Sequence, residues 1–366
     1  MNILVVHPSL NASGGSEKVC LTIIEALKEK GYKIILGSFE RTDWQRVERI
    51  FGEVAKPDVE IINPRIFGTS AYGELLNFYL LLSHIPKNYE IAVISCSSPW
   101  FFCPSTDKTV IYMNLAPVNY IIGIRRAYLL PYISIQRRFL KKNKNKIILT
   151  NSTFSSKVIE SVYSLKSKIV YPPVDVKKLQ ISQQNKENLV ISVGRFDTFK
   201  HYEILIKAFS HIESGKCFII GTIYDNASIK YLYKLRKLVT VLKLNDKVKF
   251  LVNSSMETLK NFFLKAKVYV HTARHEYFGI SIVEAMACGC VPIVRKSGGP
   301  FLDIVEQGKY GLVFENVDEL ADQINLLLQD ENTLKNLSQK AIKRASFFNK
   351  ENFKKNFLES ISKNNA

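Results

Sequence analysis

The 366-residue sequence has no uncharged apolar run approaching the roughly 18–20 residues of a membrane-spanning helix, which argues against a polytopic membrane protein. Met1–Val6 enters a strand pattern directly, with no basic leader segment, so no secretory signal is read there. Cysteine is sparse. Six are present (Cys20, Cys96, Cys103, Cys217, Cys288, Cys290) and none forms a CxxC pair, so structural zinc is not expected and a reduced, cytoplasmic compartment is. The Asn-x-Ser/Thr triplets at Asn11, Asn151, Asn226 and Asn253 then read as chance matches. Carboxylates are the minority charge: 33 Asp and Glu against 51 Lys and Arg leave a net charge of +18. That surface favours a polyanionic partner, whether nucleic acid, anionic lipid or a phosphorylated ligand. No zinc-finger, RNP or helix-turn-helix signature accompanies it, so nucleic acid is not the expected partner.

What is present is alternation. Residues 3–7 read as a buried parallel strand. A loop with Gly14-Gly15 follows, then a helix from Glu17 to Lys30 stopped by Gly31, then a strand at 32–38. This is a βαβ opening. Further strands are predicted at 90–95, 109–115 and 146–150, with helices at 74–83 and 151–163. The chain pauses at Tyr171-Pro172-Pro173-Val174-Asp175. A second βα series follows, with strands at 189–194, 217–221, 248–252, 268–271, 291–294 and 312–314. Its helices are predicted at 201–212, 226–243, 256–265, 280–288, 317–329 and 331–345. Two βα series of similar size imply two Rossmann-like domains facing a central cleft, with ligands at the carboxyl ends of the strands.

The most specific stretch runs from Arg274 to Gly289 and holds two carboxylates, Glu276 and Glu284, eight positions apart. Glu276 precedes a Phe278-Gly279 turn, and Glu284 lies within the helix that opens there. A helix start offers unpaired N–H groups and partial positive charge, which suit phosphate. Carboxylates on either side of it suit the hydroxyls of a nucleotide-sugar. A glycoside hydrolase pair is the alternative, but its two groups lie about 5–10 Å apart. Eight residues along a continuous helix separate two side chains by roughly 12 Å.

With these residues in place, the chain resembles the GT-B-fold retaining glycosyltransferases of family 4, above all the mannosyltransferases that elongate polyprenol-linked glycans. The resemblance runs through Gly14-Gly15-Ser16-Glu17-Lys18-Val19, Asn151-Ser152-Thr153-Phe154, Tyr171-Pro172-Pro173-Val174-Asp175, Val193-Gly194-Arg195-Phe196-Asp197 with Lys200, and the Glu276–Glu284 block. It implies an acceptor domain over 1–170, a donor domain over 171–345, and a tail helix over 346–366 that crosses back to the first domain, carrying Phe347, Phe348, Phe353 and Phe357. It implies that Arg195 and Lys200 hold the donor diphosphate, one cation rigid and the other flexible. Glu276 holds hydroxyls of the donor sugar. Phe278, Gly279, Ile280 and Ser281 offer backbone N–H groups to phosphate, and Glu284 accepts from the ribose. Val252 and Asn253 contact the base, and Gly15 allows close approach of the first-domain loop.

The family's chemistry needs no enzymic nucleophile: the leaving phosphate deprotonates the incoming hydroxyl on the same face of the sugar. No cofactor or metal is then expected beyond the GDP- or UDP-linked co-substrate, and no Asp-x-Asp triplet is present to carry one. Catalysis reduces to positioning and electrostatic stabilisation.

One residue departs from the pattern. Relatives carry a histidine after the strand that ends near Met113, and here the position is Asn114. Asparagine can orient a sugar hydroxyl but cannot shuttle a proton. It motivates one rival reading, a non-catalytic binding subunit that keeps the fold, and a GT-B nucleotide-sugar epimerase stands as a separate alternative. His7 and His201 read as packed or solvated. His271 and His275 flank the Glu276 loop, and His275 is the better functional candidate. The stretch 119–140, with aromatic and aliphatic groups among paired arginines and lysines following, suits the surface of an anionic membrane. The alternative is a first-domain helix pair with an apolar core face and a solvated basic face. The expectation is thus a peripheral enzyme at the cytoplasmic membrane face, moving mannose or glucose to a lipid-linked or surface glycan.

Overall fold

A computed structural model describes residues 1–12, 14–68, 70–96, 108–113, 124–142, 145–179 and 185–362. The chain divides into two compact units, residues 1–173 with 350–366, and residues 174–349.

In the first unit the chain runs β1 (Asn2–Val6), α1 (Gly15–Glu29), β2 (Lys33–Ser38), α2 (Trp44–Phe51), β3 (Val59–Ile62), α3 (Ala71–His84), β4 (Ile91–Cys96), β5 (Lys108–Met113), α4 (Ile124–Lys142), β6 (Lys146–Thr150), α5 (Thr153–Tyr163) and β7 (Lys168–Ile169). These strands form one parallel sheet in the order β3-β2-β1-β4-β5-β6-β7. Ile3, Leu4 and Val5 are fully buried, because helices cover both faces of a parallel sheet. The order reverses between β1 and β4, so β1 ends at the point where open α/β sheets take ligands.

The second unit runs α6 (Val176–Leu179), β8 (Glu187–Arg195), α7 (Tyr202–Ala208), β9 (Lys216–Thr222), α8 (Asn226–Val241), β10 (Val248–Val252), α9 (Met256–Lys265), β11 (Ala266–His271), α10 (Ile280–Ala287), β12 (Val291–Arg295), β13 (Leu312–Phe314), α11 (Val317–Gln329) and α12 (Glu331–Ala345). Its parallel sheet has the order β10-β9-β8-β11-β12-β13, with the reversal between β8 and β11. Every residue of β11 is buried, and Phe196, Leu205, Ile219, Val268, Ile293 and Ile324 share the core.

The final helix, α13 (Lys350–Ser362), belongs to the first unit. It lies along α1. Lys354 donates to Glu25 and Glu29 at 2.6 Å each, Phe353 and Phe357 stack at 6.0 Å, and Phe353 meets Tyr112 edge-on. Burial of these rings anchors the chain end that the phenylalanine spacing marks. The helix predicted over 201–212 is shorter, ending as a 3-10 turn at Phe209–His211.

His7 closes β1. It is 2% exposed, and its Nε2 lies 3.1 Å from the Ser16 hydroxyl at the start of α1. Burial pushes its pKa down to about 4, only partly opposed by a hydrogen bond with the Ser9 backbone. The fold therefore holds this imidazole neutral, and the unfolded chain binds its proton first. Its contribution is complete above the ordinary value near 6.5 and is lost as pH falls from there to about 4. At 1.36 kcal/mol per pH unit this amounts to about 3 kcal/mol. Chemical denaturation of His7→Gln across that range is expected to show a correspondingly flatter pH dependence. A slope equal to that of the parent would assign the acid sensitivity elsewhere.

Candidate active site

The carboxyl ends of β8 and β11 meet at the sheet reversal of the second unit, and the side chains that leave them converge. After β8 ends at Arg195, Asp197 caps a 3-10 turn by accepting from the Phe199 amide at 3.0 Å, and the turn delivers Lys200. His201 follows in the left-handed region at φ +52°, which turns the chain into α7. After β11 ends at His271, the loop 272–279 carries Glu276. Lys200 Nζ pairs with Glu276 Oε2 across 76 residues of sequence. Each side chain is 19% exposed.

Two further contacts tie these loops. Thr272, fully buried, donates from Oγ1 to the Lys200 carbonyl at 2.5 Å. His271 places Nε2 3.3 Å from the same Glu276 oxygen. Burial alone would raise the Glu276 pKa, but the Lys200 ammonium and the His271 contact outweigh it and hold the carboxyl well below the ordinary range. The group stays ionised through mildly acidic pH.

Beside this pair lies the start of α10. Gly279 sits before its first turn at φ +91°, where a side chain would be strained and a Cβ would lie 2.6 Å from Ile282 Cδ1. Among the first-turn amides, Ile282 N already bonds Gly279 O at 3.0 Å. Ser281 shares a hydrogen bond with Tyr269 at 2.8 Å, and Tyr269 donates to Val193 O at 3.2 Å, so α10 is pinned to the end of β8. Phe278 is buried edge-on to Phe348, so its side chain is a packing element and only its backbone is available to a ligand. Glu284 lies one turn into α10, half-buried. Because α10 begins at Ile280, the interval between Glu276 and Glu284 is part loop and part helix.

Arg195 is exposed and its guanidinium lies 5.5 Å over the Tyr224 ring. Tyr224 in turn donates to Asp197 Oδ2 at 3.1 Å. Val252 ends β10. Asn253 follows at φ +52°, and its amide donates to Gly221 O at 2.8 Å while its Oδ1 accepts from the Ile223 amide at 3.1 Å. The Asn253 side chain thus organises the loop after β9. Gly15 opens α1 in the first unit. Asn114 lies outside the described residues, as do residues 119–123 of the basic aromatic stretch. Among the described residues no group of three or more His, Cys, Asp and Glu could hold a metal ion.

Sequence reasoning missed three contributors and placed His271 only as a flank of the Glu276 loop. Thr272 looks like the end of a buried strand. Gly298 and Gly299 look like an ordinary turn, yet a Cβ at Gly298 would meet the Glu276 carbonyl at 2.5 Å, and one at Gly299 would meet the Tyr277 carbonyl at 1.9 Å. Gly299 N also donates to Glu276 O at 2.8 Å. The glycine pair lets the Glu276 loop lie against the turn after β12. The Gly298-Gly299-Pro300 run was the one signal that could have pointed to it.

Residues 175–344 match the family described as Glycosyl transferases group 1. A Dictyostelium discoideum protein, GDP-Man:Man(3)GlcNAc(2)-PP-Dol alpha-1,2-mannosyltransferase, is 28% identical over 237 residues, covering 59% of this chain and 47% of its own. The Homo sapiens protein of the same name is 25% identical over 427 aligned positions, covering 99% of this chain and 87% of its own. In the first of these relatives the matched region spans about half the protein. Among solved structures, Anabaena HepE in complex with UDP superposes with a TM-score of 0.75 at 18% identity, covering 99% of this chain and 100% of that one. Two parallel-sheet Rossmann-like units and this likeness make the fold GT-B.

Proposed function

We propose that this chain is a retaining glycosyltransferase of family 4 that moves a hexose from a nucleoside diphosphate sugar to a lipid-linked or surface glycan. The observation that carries the reading is the partly buried Lys200–Glu276 pair set beside the open start of α10. An ammonium, a helix start and a carboxylate within one loop cluster match the two ends of an activated sugar. The names of the Dictyostelium and human relatives, which specify GDP-Man and a PP-Dol-linked acceptor, support mannose and GDP.

In this reading Arg195 and Lys200 hold the diphosphate and stabilise the charge that grows on it as the glycosidic bond breaks. The backbone at Gly279, Ile280 and Ser281 receives phosphate oxygens, and Glu276 fixes the hexose hydroxyls. Glu284 accepts from the ribose, and the backbone at Val252 and Asn253 borders the base. The departing phosphate takes the proton of the incoming hydroxyl, so the new bond forms on the face the old one left. The protein supplies placement and fixed charge, and no step is assigned to a metal.

The acceptor side draws the enzyme to the cytoplasmic face of a membrane. No helix among the described residues is long and apolar enough to cross one. On α4, Tyr128, Leu130, Ile135 and Phe139 are exposed together with Arg138 and Lys141, and on α3 Leu76 and Tyr79 are exposed. Tyr72 of α3 packs edge-on against Tyr128 and Tyr132 of α4. This apolar, basic surface fits an anionic interface.

The test uses purified protein with GDP-mannose and UDP-glucose, scored first by melting temperature and then by transfer to a polyprenyl diphosphate-linked glycan in anionic vesicles. One donor is expected to raise the melting temperature by mass action, the product linkage to keep the donor configuration, and the protein to float with anionic but not neutral vesicles. Binding without transfer would replace the enzyme by a binding subunit, and donor interconversion without acceptor would make it an epimerase. No stabilisation by any nucleoside diphosphate sugar would end the reading.

A further inference from the structure

Resting on the donor-site reading above, we propose that His271 is a positioning residue that takes over Glu276 when Lys200 turns to the donor diphosphate. The structure shows why such a partner is needed. Lys200 is committed to Glu276, and the Lys200 ammonium and the His271 ring both approach the carboxylate oxygen Oε2. If Lys200 swings to phosphate, a mostly buried carboxylate loses its cation, and an uncompensated buried charge is costly.

His271 is placed to meet that cost. It is 3% exposed and ends the central strand β11, which holds the ring behind the Glu276 loop. Its Nε2 lies 3.3 Å from Oε2 yet has no aligned hydrogen-bond partner in this arrangement. A buried donor without an aligned acceptor is unsatisfied, and a small rotation of the carboxylate toward it corrects both deficits at once. Burial and the nearby Lys200 charge favour the neutral ring, against the pull of Glu276. In its Nε2-protonated tautomer a neutral imidazole donates one hydrogen bond and adds no charge to compete with Lys200 for phosphate.

The surroundings of Lys200 are also built for exchange. A Cβ at Gly194 would lie 2.9 Å from the Tyr202 hydroxyl and 3.2 Å from Lys200 Cε, so the missing side chain leaves the Lys200 stem room beside the ring. The Tyr202 hydroxyl is itself buried, at 1% exposure, with no hydrogen-bond partner. The anchor of the Lys200 backbone, Thr272 Oγ1, does not restrain its ammonium.

Calorimetric titration with GDP and UDP tests this without transfer activity. His271→Ala is expected to weaken binding of the preferred nucleoside diphosphate by roughly tenfold to a hundredfold, the usual range for a hydrogen bond to a charged group. His271→Gln, which keeps an N–H donor, recovers most of it. In a Glu276→Gln background, where no charge needs a partner, His271→Ala costs nothing further. With transfer assayed, His271→Ala raises donor KM more than it lowers kcat. Should His271→Ala fail to fold, nitrogen-15 NMR of the parent protein decides: the His271 Nε2 resonance is expected to move on adding the diphosphate. Parent-like affinity in His271→Ala, an equal loss in the Glu276→Gln background, or an unmoved Nε2 resonance overturns the positioning role alone. A parent protein that binds no nucleoside diphosphate overturns the function reading and this inference with it.

Discussion

Lys200→Ala is expected to lower sugar transfer by on the order of 10²–10³-fold, the loss seen when one preorganised partner of a developing negative charge is removed. Glu276→Ala is expected to lose a comparable factor, because the hexose is no longer held in line with the bond that breaks. Stability separates the two roles of this pair. Lys200→Ala leaves Glu276 in surroundings whose burial pushes its pKa up, with only His271 to oppose that. The single variant should therefore melt lower than the parent, with a deficit that grows as pH rises from the ordinary carboxylate range to the raised pKa and is complete above it. Removing both side chains removes the stranded charge, so Lys200→Ala combined with Glu276→Ala should regain melting temperature relative to Lys200→Ala. Activity stays lost. Initial transfer rates and thermal melts of the three variants check this. Parent-like turnover in Lys200→Ala would remove the ammonium from the chemistry.

Gly299→Ala is the second large effect. Its new Cβ would stand 1.9 Å from the Tyr277 carbonyl oxygen and 2.7 Å from its carbon, both backbone atoms that cannot swing aside. The neighbouring Gly298 adopts φ +76° with its own close approach to Glu276. The Glu276 loop must move away from the turn after β12, breaking the 2.8 Å bond from Gly299 N to Glu276 O. Overpacking of this kind costs about 1–3 kcal/mol or more. If Glu276 holds the sugar as proposed, a displacement near 1 Å at its carboxylate is worth about 10²-fold in rate. A soluble Gly299→Ala protein should therefore show both a lowered denaturation midpoint and a transfer rate reduced far beyond its unfolded fraction. Gly68→Ala, where a Cβ meets nothing within 4 Å, is the control and should behave as the parent. Equal behaviour of the two variants would mean the loop is not held by this contact.

The strands and helices of the second unit were legible to within one or two residues at most boundaries. β10, α9, α11 and α12 coincide with their predicted ranges, and β13 does too. Each has a strong cue, such as the Ser255, Asn316 and Asp330 caps or a continuous apolar run. α2 and β3 went unread. α2 is eight residues with one buried side chain, and β3 is four residues, none buried, carrying Glu60, so neither shows enough apolar periodicity to register. The sequence leaves α4 between a membrane-facing stretch and a helix pair because Pro131 lies inside it and exposed apolar groups blur its buried face.

The candidate site divides along the same line. Which residue types belong there followed from local chemistry: a glycine to open α10, a carboxylate on either side of it, and cations after a strand. Which atoms meet did not. Lys200 reaches Glu276, and His271 stands behind it, because β8 and β11 are neighbours at the sheet reversal. The approach of Gly299 to Tyr277 likewise depends on β12 lying beside β11. Hydrophobic periodicity records whether a residue faces a core, which is a property of one element. Strand order is a property of the whole sheet, set by the summed burial of many elements, and the ion pair and its glycine support exist only once that order is made.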